Sequence, residues 1–188
     1  MARPREFDID QAVARAMAVF WEQSFDATTT EQLLEGMGLT RGSLYKAFGD
    51  KKALFLRALD LYESQEVDKA VAILSKPNVD GTQRIKSLFD TITAAVQSGN
   101  RMGCLLCSTL SGLSANDADI SPKVLTSAAK LHHGFDTALR ESREVHFPER
   151  YARLLLTQYI GLRVLSRTGA PADVIQESVE AIEALLRR

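Results

Sequence analysis

The side chains best suited to covalent or metal chemistry are Cys104 and Cys107, which lie three positions apart in an apolar stretch. They are the only two cysteines in the chain, too few and too close together for a disulfide framework. Residues three apart on a helix share one face, so the two thiols are expected side by side. The pair has three interpretations: small apolar core residues, a reactive thiol, or part of a metal site.

A reactive thiol needs a lowered pKa, because the thiolate is the nucleophile. Residues 103–115 are predicted to form a short apolar helix, and Cys104 would then lie in its first turn, where a helix stabilises a thiolate. No lysine or arginine follows within that helix to strengthen the effect. A metal site would need His132 and His133 as further ligands, and adjacent residues on a helix point in different directions. Burial in the core is therefore the simplest interpretation, and no metal is predicted.

Motifs of enzymes are missing from the sequence. It contains no Gly-x-Ser-x-Gly elbow, no phosphate-binding glycine loop and no His-Glu-x-x-His. A Cys-x-x-Cys redox site would follow a strand, and no strand pattern is present. We predict that the chain is not an enzyme and uses no cofactor, with a thiol redox enzyme using Cys104 and Cys107 as an alternative.

A second group of side chains is suited to binding phosphate. Between Arg41 and Arg57 the chain carries five basic residues and one acid, although its net charge is −1. A short helix from Arg41 to Phe48, capped by Thr40, would bury only Leu44 and Phe48. Its other residues are small, polar or basic, so we expect this helix to face a partner.

The preceding elements complete a helix-turn-helix. A first helix follows a cap at Asp8 or Asp10 and runs to about Gln23. A second begins after Thr29, and Gly38 supplies a position that tolerates the positive φ of a sharp turn. A helix-turn-helix lays its second helix in the major groove of DNA.

The remainder of the chain predicts only helices. A fourth helix runs without Gly or Pro from Asp50 to about Ser75, and its length of roughly 37 Å follows from 1.5 Å per residue. Five further helices follow, including 103–115 and 122–144. We predict an all-α fold of about nine helices. Residues 1–50 would form a three-helix DNA-binding domain, and 51–188 a helical effector-binding and dimerisation domain.

The head of the chain resembles the TetR family of bacterial transcriptional regulators. The resemblance spans roughly the first 60 residues. Ser24 and Gly36 depart from it, since the family usually has glycine and alanine at these positions. The residues that carry it are Ala27-Thr28-Thr29, Met37-Gly38-Leu39-Thr40, Gly42-Ser43-Leu44-Tyr45, Phe48, Asp50-Lys51 and Ala53-Leu54-Phe55.

The resemblance implies a ligand-responsive regulator that binds double-stranded DNA. We expect a repressor that a small molecule or a thiol-reactive effector releases from a near-palindromic operator; some family members with a similar Gly-Cys-Leu motif use that cysteine in this way. The expected DNA-contacting residues include a basic N-terminal arm: Arg3, Arg5, Thr28, Thr29, Arg41, Gly42, Ser43, Tyr45, Lys46 and Lys51.

Family topology also implies an effector site and a homodimer. The site would be lined by Phe89, Ile92, Cys104, Cys107, Leu110, Phe135, Tyr159 and Arg163. Dimerisation through the last two helices fits the unusually broad apolar surface of the final helix. The residues predicted for that interface are Tyr151, Leu155, Leu162, Ile175, Val179, Ile182 and Leu186.

The sequence shows no pattern of a membrane or secreted protein. No stretch approaches the roughly 18 apolar residues of a membrane span, and the first residues lack the apolar core of a secretory signal. We therefore expect a cytoplasmic protein without a membrane partner. A rival function is that of a helical protein–protein adaptor that does not bind DNA specifically.

Overall fold

The computed structural model describes residues 7–142 and 148–187. Within these ranges the secondary structure is helical and contains no strand, which confirms the predicted fold class. Nine helices follow one another: α1 (Ile9–Gln23), α2 (Thr30–Met37), α3 (Arg41–Phe48), α4 (51–74), α5 (Gly81–Gln97), α6 (Leu105–Leu110), α7 (Ile120–Arg140), α8 (Pro148–Thr168) and α9 (Ala172–Leu186). None of the helices in the described ranges has the length and apolar content that a membrane crossing needs.

The first four helices begin at the side-chain caps that the sequence predicts. A carboxylate oxygen of Asp8 accepts two backbone N–H groups at the start of α1. Thr29 and Gln32 form a reciprocal capping box before α2. Thr40 caps α3, and Asp50 caps α4 with a 2.7 Å hydrogen bond from a backbone N–H. These caps satisfy backbone donors that have no partner within the helix.

The turn between α2 and α3 also follows the prediction. Gly38 ends α2 in the left-handed conformation, with φ +66°, which glycine adopts without a Cβ clash. On α3, Leu44 and Phe48 are buried, Ala47 is partly buried against the core, and Tyr45 and Lys46 face outward. The narrow apolar stripe therefore anchors α3 while leaving most of its surface free.

Helix α4 is continuous but not uniform. It consists of α-helical Lys51–Tyr62, π-helical Glu63–Val67 and α-helical Asp68–Leu74. The sequence predicted its length but not the π-helical segment. Such segments are rare and often lie at functional sites.

Helix α4 joins the head of the chain to the rest. The ring of Phe55 lies 4.9 Å from that of Phe20 on α1 and 4.6 Å from that of Phe25. Buried side chains form one continuous cluster from Ala12 to Leu186. No gap in the core marks residue 50, so the division into two domains there stays a prediction.

The segment containing the cysteines differs from its prediction. An α-helix covers only Leu105–Leu110, and Cys104 precedes it in an extended conformation, with φ −132° and ψ 124°. The prediction that Cys104 lies in the first helical turn is therefore wrong. The reason is the turn at Gly103, where φ is +65° and an added Cβ would lie 2.8 Å from the Cβ of Arg167.

The last two helices direct their main apolar stripes into the chain itself. Tyr151 is half-buried, and the other predicted interface residues are fully buried: Leu155, Leu162, Ile175, Val179, Ile182 and Leu186. Those six assignments are corrected, because their side chains already contact the chain's own core. A periodic apolar pattern predicts that a face is covered but not which partner covers it. The large exposed apolar residues on these helices are instead Leu154, Val164, Leu165 and Val174.

Candidate nucleic-acid interface and effector cavities

The outward face of α3 carries most of the residues predicted to contact DNA. Arg41, Gly42, Tyr45 and Lys46 are exposed, and Ser43 is half-buried. Tyr45 leaves 43% of its surface in contact with solvent, a large value for an aromatic side chain. The face thus combines a small residue, which permits close approach, with an aromatic hydroxyl and two basic groups.

Only part of the local positive charge is unpaired. Arg41 forms an exposed ion pair with Glu31 on α2. Lys46 has no acidic partner within the described residues. Lys52, which we counted with the basic residues, pairs with Asp119 at 2.5 Å and Asp117 at 3.5 Å and so ties α4 to the α6–α7 connection. The outward-facing charge is therefore smaller than the sequence count.

Lys51 lies at the edge of the same surface. Its Nζ atom sits 4.5 Å from the centre of the Phe25 ring. Partial burial lowers the pKa of Lys51, and the negative charge of Asp26 partly offsets that effect. The side chain is half-buried, so a phosphate contact from Lys51 would require it to leave this ring.

The threonines before α2 have different environments. Thr28 is 2% exposed, and its hydroxyl donates a 2.5 Å hydrogen bond to the Ser24 carbonyl oxygen. Its predicted phosphate contact is wrong in this conformation, because the hydroxyl already serves the chain's own backbone. Thr29 is exposed at the start of α2, where backbone N–H groups favour an anion. Arg3 and Arg5 lie outside the described residues.

A cavity of about 540 Å³ lies where the α1–α2 turn meets the segment around α6 and helix α8. We call it the junction cavity. Its volume falls within the roughly 300–1,000 Å³ of small-molecule sites. It is lined by Ser24, Asp26, Ala27, Cys104, Cys107, Ser108, Ser111, Gly112, Leu113, Arg163, Val164 and Arg167.

Cys104 has the environment of a stabilised thiolate. Its Sγ atom accepts a hydrogen bond from the Tyr62 hydroxyl at 3.4 Å. A hydrogen bond from the Cys107 thiol, together with the charge of Arg163 and the Tyr62 hydroxyl, outweighs burial and lowers the pKa of Cys104 to about 6. The pKa of Cys107 is raised, because its proton is held by Cys104 and its own site is buried. Cys104 is therefore the more nucleophilic member of the pair.

The positive charge beside Cys104 comes from a distant helix. Nothing basic follows Cys104 within α6, as the sequence indicated, but Arg163 on α8 reaches the same cavity. Its guanidinium acts on Cys104 through space. The sequence included Arg163 among the lining residues without revealing this role.

Arg167 connects this cavity to the head of the chain. Its Nη1 atom donates to the carbonyl oxygens of Trp21 at 2.6 Å and Met102 at 3.1 Å, and its Nη2 atom donates to that of Glu22 at 2.5 Å. Trp21 and Glu22 lie in the last turn of α1, whose carbonyls lack partners within the helix. A cation there also interacts favourably with the helix dipole. A displacement of Arg167 would thus break its hydrogen bonds to the end of α1.

A second tie joins the α1–α2 turn to the segment after α6. The Asp26 carboxylate accepts hydrogen bonds from the backbone N–H of Ser114 at 3.2 Å and from its hydroxyl at 3.0 Å. Close by, Ser24 adopts φ 69° and ψ 160°, a backbone conformation that residues other than glycine rarely adopt. The contact between Asp26 and Ser114 therefore holds this strained turn against the segment after α6.

The eight residues predicted for the effector site lie in four different places. Cys104, Cys107 and Arg163 line the junction cavity, whereas Ile92 lines a smaller cavity next to Arg163. Leu110 is partly buried against the core. The other three form a buried aromatic cluster with ring centres 6.0–6.2 Å apart: Phe89, Phe135 and Tyr159.

Several lining residues could not be found from the sequence. Asp26 and Arg167 lie far apart in the chain, and neither belongs to a motif that predicts a pocket. For the metal interpretation, the part of the chain that the structure describes contains no group of three or more His, Cys, Asp or Glu side chains placed to hold an ion.

Comparisons with known proteins identify the family. The sequence model of the bacterial regulatory proteins of the tetR family matches residues 12–58. The HTH-type transcriptional repressor BdcR of Escherichia coli strain K12 is 28% identical over 191 residues, which cover 98% of this chain and 93% of that protein. The repressor ComR of the same strain is 30% identical over 120 residues, 63% of this chain and 57% of that protein. Residues 12–58 thus match the TetR family, and the likeness to its repressors extends beyond them.

A solved structure extends the likeness over nearly the whole chain. The regulator CifR, in a cysteine-substituted variant complexed with 26-bp double-strand operator DNA, has a TM-score of 0.86 and 25% sequence identity, with 97% of this chain and 98% of that one covered. The reduced form of E. coli NemR, at 16% identity and a TM-score of 0.81, shares the fold. The matched family model and the relatives are those of regulatory proteins and not of enzymes, so the thiol redox enzyme is set aside.

Proposed function

We propose that this chain is a cytoplasmic, DNA-binding repressor of the TetR family that an effector entering the junction cavity releases from its operator. The observation that carries the proposal is that one cavity is lined both by Cys104 and by the turn that joins α1 to α2. A molecule bound there contacts the DNA-reading head and the sensing thiol at the same time.

The proposed DNA contact is made by α3 and the start of α2. Tyr45 and Lys46 project from the exposed face of α3, and small Gly42 lies near its start. Such a helix enters the major groove, where basic and hydroxyl groups reach phosphates and base edges. Complexes of CifR with operator DNA support this role by likeness.

A single α3 helix buries too little surface for specific recognition, so we propose a homodimer on a near-palindromic site. Leu154, Gly161 and Leu165 share an exposed face of α8, and Val174 and Ala181 share one on α9. Beyond the neighbouring turns of α8 itself, no described atom lies within 4 Å of a Cβ added at Gly161, so a partner helix could approach closely there. A four-helix bundle around a two-fold axis would bury both faces.

Release then follows from a change at the junction cavity. The Cys104 thiolate would attack an electrophilic carbon, a C–S bond would form, and the leaving group would depart with its electron pair. The added group would occupy space between α6 and the α1–α2 turn, where Asp26 binds Ser114. A conformation in which the two heads no longer match the operator would become the more populated one.

DNA binding is tested by selecting bound sites from random double-stranded DNA and measuring affinity for them by fluorescence anisotropy. Tyr45→Ala and Lys46→Ala should each weaken binding about tenfold or more, and binding should fall steeply with salt. Lys76→Ala, at an exposed lysine far from α3, is the matched control. If no sequence were enriched, or if the affinity did not depend on salt concentration, the function as a helical protein–protein adaptor would be supported instead of DNA binding.

The dimer is tested by analytical ultracentrifugation. Leu165→Arg places a charge on the proposed interface and should yield monomers, whereas Leu125→Arg, at an α7 leucine that is 56% exposed, should not. Equal sedimentation of the two variants would contradict an interface on α8 and α9. The Leu165→Arg monomer should also lose operator affinity, because two linked heads bind far more tightly than one.

A further inference from the structure

A second cavity shares Arg163 with the junction cavity. Its volume is about 190 Å³, and it lies between the end of α1, the π-helical part of α4, helix α5 and helix α8. We call it the arginine–tryptophan cavity. It is lined by Trp21, Glu66, Thr91, Ile92, Ala95, Asn100, Gly103, Arg163 and Ser166.

Two buried hydrogen-bond donors at this cavity have no partner. The indole Nε1–H of Trp21 and the guanidinium Nε–H of Arg163 are both buried without an acceptor among the described residues. Only one other buried side-chain atom in those ranges, His132 Nε2, is in the same situation. Two such donors beside one cavity point to a ligand, because leaving a buried donor unpaired is destabilising.

The two donors define the chemistry of the missing acceptor. Indole and guanidinium nitrogens can only donate, so the ligand must supply hydrogen-bond acceptors, for which oxygens are suited. Arg163 has no ion-pair partner within the described residues. The one acid of the lining, Glu66, lies 3.6 Å from the ammonium group of Lys69. Apart from the Cys104 thiolate, no anion within the described residues faces this buried positive charge. A carboxylate ligand would offer one oxygen to each donor.

Size and lining narrow the ligand further. A cavity of roughly 150 Å³ holds benzene, so this one can hold a ring of that size with a carboxylate. Thr91, Asn100 and Ser166 add hydroxyl and amide groups to the wall. We propose that the arginine–tryptophan cavity binds a small hydroxylated carboxylate, whose two oxygens accept hydrogen bonds from Trp21 Nε1 and Arg163 Nε.

Binding there would also affect the junction cavity, because Arg163 lines both. A carboxylate on Arg163 would reduce the positive charge that stabilises the Cys104 thiolate. The ligand would then slow alkylation of Cys104 without touching the thiol. Neither the binding nor this coupling requires DNA, so each is tested separately from the proposed function.

The chain contains a single tryptophan, Trp21, so its fluorescence reports directly on this cavity. Titration with para-hydroxybenzoate should change the emission of the intact chain, and the neutral para-hydroxybenzamide should bind at least tenfold more weakly. Calorimetry extends the measurement to Trp21→Phe and Arg163→Lys. Each should weaken binding roughly tenfold or more, by loss of a charge-assisted hydrogen bond. Arg153→Lys, at an exposed arginine of α8, is the control and should bind normally.

Three results would overturn the proposal. The first is that para-hydroxybenzoate changes neither the tryptophan emission nor the calorimetric heat, as expected if water alone satisfies the two donors. The second is equal affinity for the acid and the amide. The third is unchanged binding by Arg163→Lys, a variant that keeps the charge and tests the Nε atom even if Trp21→Phe does not fold. In support, the acid should slow iodoacetamide labelling of Cys104 in the intact chain and not in Arg163→Lys.

Discussion

The head of the chain and the junction cavity are built by different kinds of contact. In the head, each of the helices α1 to α3 begins at a cap supplied by a residue next to it, such as Thr29 or Thr40. At the junction, Arg167 binds the carbonyl of Trp21 from 146 positions away, and Asp26 binds Ser114 across 88 positions.

The proposed DNA-binding head and the proposed regulatory cavity therefore depend on different kinds of contact. Local caps set where the helices of the head begin, independently of contacts with distant segments. The ties at the junction exist only when α1, α6 and α8 are packed together, so they are the contacts that a ligand can change. Variants that remove one kind of contact should therefore have separable effects.

The largest effect is expected where the head packs on α4. Phe55→Ala removes a fully buried ring that contacts Phe20 and Phe25, and should lower the free energy of unfolding by about 3–5 kcal/mol. Urea denaturation followed by circular dichroism measures this. Leu125→Ala, at an exposed leucine, is the control. A loss for Phe55→Ala as small as that of the control would mean that the head is not held by this contact.

A smaller loss is expected at the long-range tie. Arg167→Met keeps most of the side-chain length but removes three hydrogen bonds to backbone carbonyls, and should lower the free energy of unfolding by about 2–3 kcal/mol. Arg153→Met is the control on the same helix. Asp8→Ala, which removes a local cap, should cost about 1 kcal/mol. A larger loss for Asp8→Ala than for Arg167→Met would reverse the comparison between head and junction.

The thiol chemistry at the junction should depend on pH. The pKa of Cys104 is lowered to about 6, so its thiolate forms as the pH rises through 6 and is lost below it. At pH 7 its thiolate fraction should be about 30-fold that of a free cysteine with a pKa of about 8.5. Mass spectrometry of iodoacetamide labelling measures the rate at each pH. Arg163→Met should move the midpoint upward, and a wild-type midpoint above 8 would contradict the described environment.

The smallest effect concerns the strained turn. Ser24 holds φ at 69°, so Ser24→Gly should raise the free energy of unfolding by about 1 kcal/mol, since glycine adopts this conformation without strain. Thermal denaturation can resolve the difference. Ser98→Gly, in a helix-terminal position with φ −77°, is the control and should not stabilise the chain. A destabilised Ser24→Gly would indicate that the serine side chain holds the turn.

The sequence predicted the head well because its structure depends on near neighbours. Caps, the turn glycine and the apolar pair on α3 are visible at fixed spacing. Thr28 is the exception, since a residue beside a cap can face either way and here its hydroxyl turns inward. Gly36 also has a role that its spacing did not show, because a Cβ there would clash with Val19 of α1.

The cavities could be predicted only in part. The spacing of Cys104 and Cys107 indicated a shared face, but the arginine that charges their site lies on α8, and nothing near the cysteines marks it. The buried stripes of α8 and α9 were visible, yet periodicity does not say whether Leu155 or Leu154 meets a second chain. Both failures arise from contacts between segments that are distant in sequence.

The central claim is that a change at Cys104 releases the head from DNA. It is tested most directly in Cys107→Ser, which leaves Cys104 as the single cysteine. Operator affinity is measured by fluorescence anisotropy before and after stoichiometric alkylation with iodoacetamide, with Cys104→Ser treated identically. The account predicts that alkylation weakens binding of Cys107→Ser at least tenfold and leaves Cys104→Ser unchanged. Full operator affinity in the alkylated protein would contradict it.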